Sequence, residues 1–183
     1  SLAIDKDPCH PYAYYNRGNS YYKLMQYERA IQDYDKAIEL DPNYASAYNN
    51  RGNIHYVMKQ YERAIQDYDK AIELDSNDAN AYNCRAFTYA HIEEFDKAIS
   101  DVEKSLSLNP DEPTALHTYG FIHLQQEDWS KAIEYFNRSI EYLNKQHAPS
   151  NKLKIAYKDR AKAYRALEKF DLAEADEAKA AEL

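Results

Sequence analysis

At 183 residues the chain has room for one or two globular domains, and three glycines against 30% charged residues favour long helices over sheet and turns. The formal net charge of −8 sets it apart from general nucleic-acid binders, whose footprint is a basic face. No run of about 18 apolar residues reads as a spanning helix. Cys9 and Cys84 have neither metal-site nor disulfide-framework spacing, and two scattered thiols lean towards a reducing, cytoplasmic compartment.

Residues 1–10 read SLAIDKDPCH. Shifted by thirty-four residues, Ala3, Ile4, Asp7 and Pro8 fall on Ala37, Ile38, Asp41 and Pro42, so this stretch is expected to be the tail of a truncated upstream repeat. From Pro11 the first full unit begins. Tyr14, Gly18, Tyr21 and Tyr22 at helical spacing predict a helix over Pro11–Met25, followed by a turn at Gln26–Tyr27. A second helix, Glu28–Leu40, is stopped by Asp41-Pro42. The string QYERAIQDYDKAIELD at 26–41 returns unchanged at 60–75, then eroded from Glu94 and from Asp128. A period of this length marks an array of helical hairpins, each packing on its neighbours. Five repeats are expected at 11–44, 45–78, 79–112, 113–146 and 154–183. Between the last two the spacing grows by seven residues, which predicts a longer loop at 147–153 around Ala148-Pro149-Ser150-Asn151. The final unit has predicted helices over Lys152–Leu167 and Asp171–Glu182, and Glu177 in the aromatic column of Tyr34 gives it the polar face of a terminal cap.

Tyr14, Gly18, Tyr21, Ala30, Tyr34, Ala37 and Pro42 together resemble the tetratricopeptide repeat, and the resemblance covers residues 11–183. It implies an all-α fold, a right-handed α-solenoid of helical hairpins. Gly18, Gly52 and Gly120 share one column, filled elsewhere by Ala86 and Ala161. A glycine inside a helix costs about 1 kcal/mol against alanine, so it recurs where two helices approach closely. One column departs from the family pattern. Arg17, Arg51, Arg85 and Arg160 stand where leucine is usual, each with Asp33, Asp67, Asp101 or Asp176 sixteen residues later, and the fourth unit has Tyr119 and Tyr135 instead. This joint change predicts contact between the two helices of a hairpin.

Most of the nineteen tyrosines fall in columns that pack the hairpin. His10, His55, His91, His117, His123 and His147 form no ligand pattern, no phosphate loop or nucleophile elbow is present, and neither metal, cofactor nor catalysis is expected. The resemblance implies a groove lined by the first helix of each hairpin. Its residues are Tyr12, Tyr15, Asn19 and Tyr22; Asn49, Asn53 and Tyr56; Asn80, Asn83 and Phe87; His117 and Phe121; and Lys158, Lys162 and Arg165. The first four of these helices hold no Asp or Glu. The asparagines resemble the ladder by which some arrays of this family hold a peptide backbone, interrupted at Cys84 and Thr118. The family's basic clamp for chaperone tails does not fit, because Tyr15, Asn80 and Cys84 stand where its cations belong. The expectation is a protein–protein interaction scaffold that takes an extended peptide, with an acidic segment or carboxylate near Lys154, Lys158, Lys162 and Arg165. The alternatives are a regulatory or targeting segment of a larger enzyme, or self-association through exposed repeat ends; nucleic acid and membrane insertion are not expected.

Overall fold

The computed structural model describes residues 9–183, so the expectation for residues 1–8 lies outside the described residues. Ten helices lie among the described residues: α1 Pro11–Lys23, α2 Tyr27–Leu40, α3 Ala45–Val57, α4 Tyr61–Leu74, α5 Ala79–His91, α6 Phe95–Leu108, α7 Pro113–Gln125, α8 Trp129–Lys145, α9 Ser150–Ala166 and α10 Phe170–Glu182. There is no strand among the described residues. The chain divides within α5 into two compact units, Ser1–Thr88 and Tyr89–Leu183. In the first, α1 pairs with α2, α3 pairs with α4, and α2 packs on α3. In the second, α7 pairs with α8, α9 pairs with α10, and α8 packs on α9.

The hairpin turn falls earlier than the sequence suggests. Helix α1 stops at Lys23, and Met25 takes a left-handed φ of 57°. That residue reverses the chain so that the Gln26 N–H bonds back to the Tyr21 carbonyl at 2.9 Å, capping the helix end. Lys59, Glu93, Glu127 and Glu168 repeat the device at φ 60°, 61°, 60° and 57°. Glycine is the usual residue in such a conformation, and none is present here. Between hairpins, Asp41 and Asp75 each accept a backbone N–H two residues on, from Asn43 and Asn77, at 3.0 Å.

The seven inserted residues are helical rather than a loop at 147–153. Helices α8 and α9 have 17 residues each, against 14 in α2 and 13 in α3, so three residues extend α8 and four extend α9. The extra turns bury Ile140, Leu143, Leu153, Ala156 and Tyr157 in a cluster with Ala180. Apolar residues at helical spacing on both sides of Pro149 make burial worth more than a longer loop.

The small-residue column sets the hairpin spacing. A Cβ built on Gly18 would lie 2.7 Å from Tyr34 Cε1, one on Gly52 2.8 Å from Tyr68 Cε1, and one on Gly120 2.7 Å from Phe136 Cε1. Tyr34, Tyr68 and Phe136 are fully buried. Where the register offers Val102 or Glu177 instead of an aromatic ring, the column holds Ala86 or Ala161.

Candidate peptide-binding face

Arginine and aspartate lock the hairpins as the joint change of their columns predicts. Arg17 donates from Nε and Nη2 to both Asp33 carboxylate oxygens at 2.7 and 2.6 Å. Arg51 does the same to Asp67 at 3.0 and 2.6 Å, and Arg160 to Asp176 at 2.7 and 2.6 Å. Arg85 and Asp101 belong to different units, and their pairing stays an expectation. In the fourth hairpin the Tyr119 and Tyr135 rings stack at 4.3 Å. A further contact was not read from the sequence. The same arginines reach the preceding hairpin, Arg51 Nη1 to Asp35 and Arg85 Nη1 to Asp69 at 2.5 and 2.6 Å. Tyr119 reaches Glu103 at 2.8 Å and Arg160 reaches Asn137 at 2.5 Å. The signal was available in the column of Asp35, Asp69, Glu103 and Asn137, all acceptors.

With Arg17 and Gly18 turned towards the second helix, helical periodicity puts Tyr12, Tyr15, Asn19 and Tyr22 on the adjoining side of α1, from which Tyr15 and Asn19 still reach Tyr34 of α2. Tyr12, Tyr22, Asn80, Lys158, Lys162 and Arg165 are exposed. Tyr15, Asn19, Asn53, Tyr56, Phe87, His117 and Phe121 are half-buried, and Asn49 and Asn83 are buried. In the first unit hydrogen bonds through Asn50 join α1 to α3, and a ring contact joins α3 to α5. Asn50 Nδ2 donates to Tyr15 Oη at 3.1 Å and to Asn19 Oδ1 at 2.8 Å. Tyr34 donates to the same Asn19 oxygen at 2.6 Å, and Tyr68 donates to Asn53 Oδ1 at 2.9 Å. Burial pushes the Tyr34 and Tyr68 hydroxyls up, so both stay protonated donors; it takes Tyr44 and Tyr56 up to about 12. Tyr12 stacks on Tyr15, and Tyr56 stands between Tyr61 and Phe87 at 5.7 and 5.6 Å. One hairpin on from Asn50 the register supplies Cys84, a weak donor, and Asn49 Oδ1 is buried without a partner.

In the second unit the link of Tyr15 to Asn50 returns as His117 to Asp159, where Nε2 lies 3.0 Å from Oδ2. The sequence separations are 35 and 42, differing by the inserted seven. Burial works to raise the Asp159 carboxyl, but hydrogen bonds from His117 and Lys162 outweigh it and hold the group below the ordinary carboxylate value. The predicted cationic stripe is thereby halved. Lys162 donates to Asp159 at 2.7 Å, and Arg165 forms a two-pronged pair with Glu177 at 2.8 Å. Lys154 and Lys158 have no ion-pair partner among the described residues.

A family model described as tetratricopeptide repeat matches residues 11–44 and 45–78, a second so described matches 67–100, and a third matches 111–183. The chain belongs to the tetratricopeptide repeat family. None of the curated proteins matches it. Among solved structures it is similar to Cut9 of the APC/C hetero-tetramer Cut9–Hcn1, with TM-score 0.93 and 18% identity over 97% of this chain and 34% of that one. MamA follows with TM-score 0.69 and 24% identity over 94% and 90% of the two chains. YrrB, a tetratricopeptide protein with an unusual peptide-binding site, has TM-score 0.67 and 23% identity over 98% and 89%. At these identities the likeness is one of fold, and this tetratricopeptide chain spans about a third of the Cut9 chain. Tetratricopeptide arrays are protein-interaction scaffolds, and this chain has their hairpin fold.

Proposed function

We propose that this tetratricopeptide chain works by binding an extended segment of another protein along its first-helix face. One observation carries the reading. Across α1, α3 and α5 of the first unit, aromatic rings and amides line a face without a single carboxylate. The arginines Arg17, Arg51 and Arg85 on those helices are held by aspartates of the second helices. That leaves Lys23 as the one lysine on α1, α3 and α5, while the rings of Tyr12 and Tyr22 on α1 are exposed. An aromatic row of this kind supplies contact area at low entropic cost when a partner covers it.

The test is selection of peptides from a displayed library on the full chain, followed by affinity measurement against Tyr22→Ala and Tyr56→Ala. Selected peptides are expected to lose affinity in both variants, at unchanged melting temperature for the exposed Tyr22 and with a lowered one for Tyr56, which packs between Tyr61 and Phe87. Equal binding to wild type and variants contradicts the reading.

Two finer readings have support of their own. Lys154 and Lys158 favour an acidic segment of the partner on α9 of the second unit. In that case affinity for the selected peptide falls with added salt and in Lys158→Glu. Self-association is favoured by Phe170, Leu172 and Leu183, apolar residues 53%, 48% and 42% exposed. Light scattering over a concentration range tests it, and a constant monomer mass contradicts it.

A further inference from the structure

We infer that the first unit holds a site for a cationic side chain, an arginine of the bound segment, on the ring cluster of Tyr12, Tyr15 and Tyr44. The inference rests on the binding role proposed for this face and starts from rings that the fold does not require. Tyr15 lies against the fully buried Tyr34 at 5.9 Å, Tyr44 against Tyr15 at 4.9 Å and Tyr12 against Tyr15 at 6.4 Å, with Tyr12 55% exposed. Further along the chain the same columns carry Ser46 and Asn80 for Tyr12, Asn49 and Asn83 for Tyr15, and Asp78 and Glu112 for Tyr44. Helices α3 and α5 nevertheless run 13 residues each, as α1 does. The chain builds these helices without rings at those places, so the cluster in the first repeat serves something other than the fold.

Its other tyrosines show what such a ring takes in this chain. In the column of Tyr14 the arginine three residues on covers the ring. Arg17 stands over Tyr14, Arg51 over Tyr48 and Arg85 over Tyr82, with the guanidinium carbon 5.5, 5.4 and 5.7 Å from the ring centre. Among the described residues no cation lies over Tyr12, Tyr15 or Tyr44. An aromatic face attracts a cation, and more strongly as water is excluded. Acceptors stand at the cluster as well. Asn50 gives its Nδ2 to Tyr15 Oη at 3.1 Å and to Asn19 at 2.8 Å, which leaves its Oδ1 to accept. Burial first, then Tyr15, Tyr12 and Asp41, push the Tyr44 hydroxyl up to about 12, so the Asp41 charge is felt at this ring. An apolar side chain seated here would shield these acceptors from water and give them no donor. A guanidinium brings five N–H donors on a flat cation that stacks on rings. The formal net charge of −8 favours the approach of a basic segment.

The experiment is NMR titration of the full chain, its tyrosine rings labelled, with two end-blocked tripeptides. One has arginine between two glycines, and the other has citrulline there, which keeps nearly the same shape without the charge. Tyr12→Leu and Tyr44→Leu each remove a ring and keep apolar bulk. The expected result is movement of the Tyr12, Tyr15 and Tyr44 signals and binding of arginine about fivefold tighter than citrulline. That preference is expected to vanish in either variant with the helical melt preserved. Equal affinity for the two tripeptides, shifts confined to other tyrosines, no shift at all, or a preference that survives in both variants overturns the assignment. Library-selected peptides that lose affinity in Tyr56→Ala, alongside equal affinity for the tripeptides, leave the binding face standing and remove the cation site. An arginine preference located at the cluster, with no peptide selected from the library, removes the extended-segment reading and leaves the site.

Discussion

Replacing Gly52 by alanine adds one methyl group at the closest approach of α3 to α4. The new Cβ would meet Tyr68 Cε1 at 2.8 Å, Tyr68 Cδ1 at 3.0 Å and Asp67 Cβ at 3.2 Å. The ring cannot swing away freely, because Tyr68 is 1% exposed and its hydroxyl is held by Asn53. Overpacking of this kind costs about 1–3 kcal/mol, and the better helix propensity of alanine returns about 1 kcal/mol. A net loss of about 1 kcal/mol is expected from these two terms. The same substitution in a Tyr68→Val background, which reproduces the Ala86 and Val102 columns of the third hairpin, meets no ring. There the propensity gain of about 1 kcal/mol is opposed only by the 3.2 Å approach to Asp67 Cβ, so the sign inverts once Asp67 gives by a few tenths of an ångström. Urea unfolding of the four proteins, followed by circular dichroism, gives the coupling directly, expected at about 2 kcal/mol. An equal effect of Gly52→Ala in both backgrounds refutes ring contact as the reason for glycine.

Three further outcomes are expected. In a double-mutant cycle, Arg51→Met and Asp67→Leu each cost about 3 kcal/mol or less, with the Asp35 link lost as well in the arginine variant, and the double variant is more stable than the sum; strict additivity in urea unfolding contradicts the pair. Lys59→Gly relieves the left-handed φ of 60° at an exposed turn residue and raises stability by about 1 kcal/mol; a lower melting temperature contradicts the strain argument. For His123, burial first and Lys131 second lower the imidazole pKa against the opposing pull of Asp128 and Glu134, so the unfolded chain takes up the proton first as pH falls. Its contribution is therefore present above the ordinary histidine value of about 6.5 and lost on acidification through it. His123→Phe keeps a ring against Tyr119 and Tyr135 and removes the buried Nδ1, which lacks a hydrogen bond and lies 3.9 Å from Asp128 Oδ2, so its melting temperature should fall less between about pH 7.5 and about pH 5.5; an identical fall contradicts the assignment.

The hairpin repeat was legible because identical strings such as those at 26–41 and 60–75 impose identical helices, α2 and α4, on identical buried columns. The Arg–Asp locks were legible because both members change together in the fourth repeat, where Tyr119 and Tyr135 stand. What the sequence hid lies in orientation and in the second partner. Nothing in the spacing of Asn19 and Asn53 reveals that tyrosines fifteen residues on, Tyr34 and Tyr68, engage their amide oxygens. The basic run on α9 counts six cations by composition, yet Arg160, Lys162 and Arg165 are held by Asp176, Asp159 and Glu177. The residues around Pro149 carried turn composition, but apolar spacing on both sides of it drew the insertion into helix.

The account stands on the first-helix face being the one a partner covers. Amide hydrogen exchange of the full chain, with and without a saturating library-selected peptide, tests this most directly. Added protection is expected along α1, α3 and α5, centred on Asn19, Asn53 and Tyr56, with α2 and α4 unchanged. Protection confined to α2 and α4, or equal on both sets of helices, would contradict it.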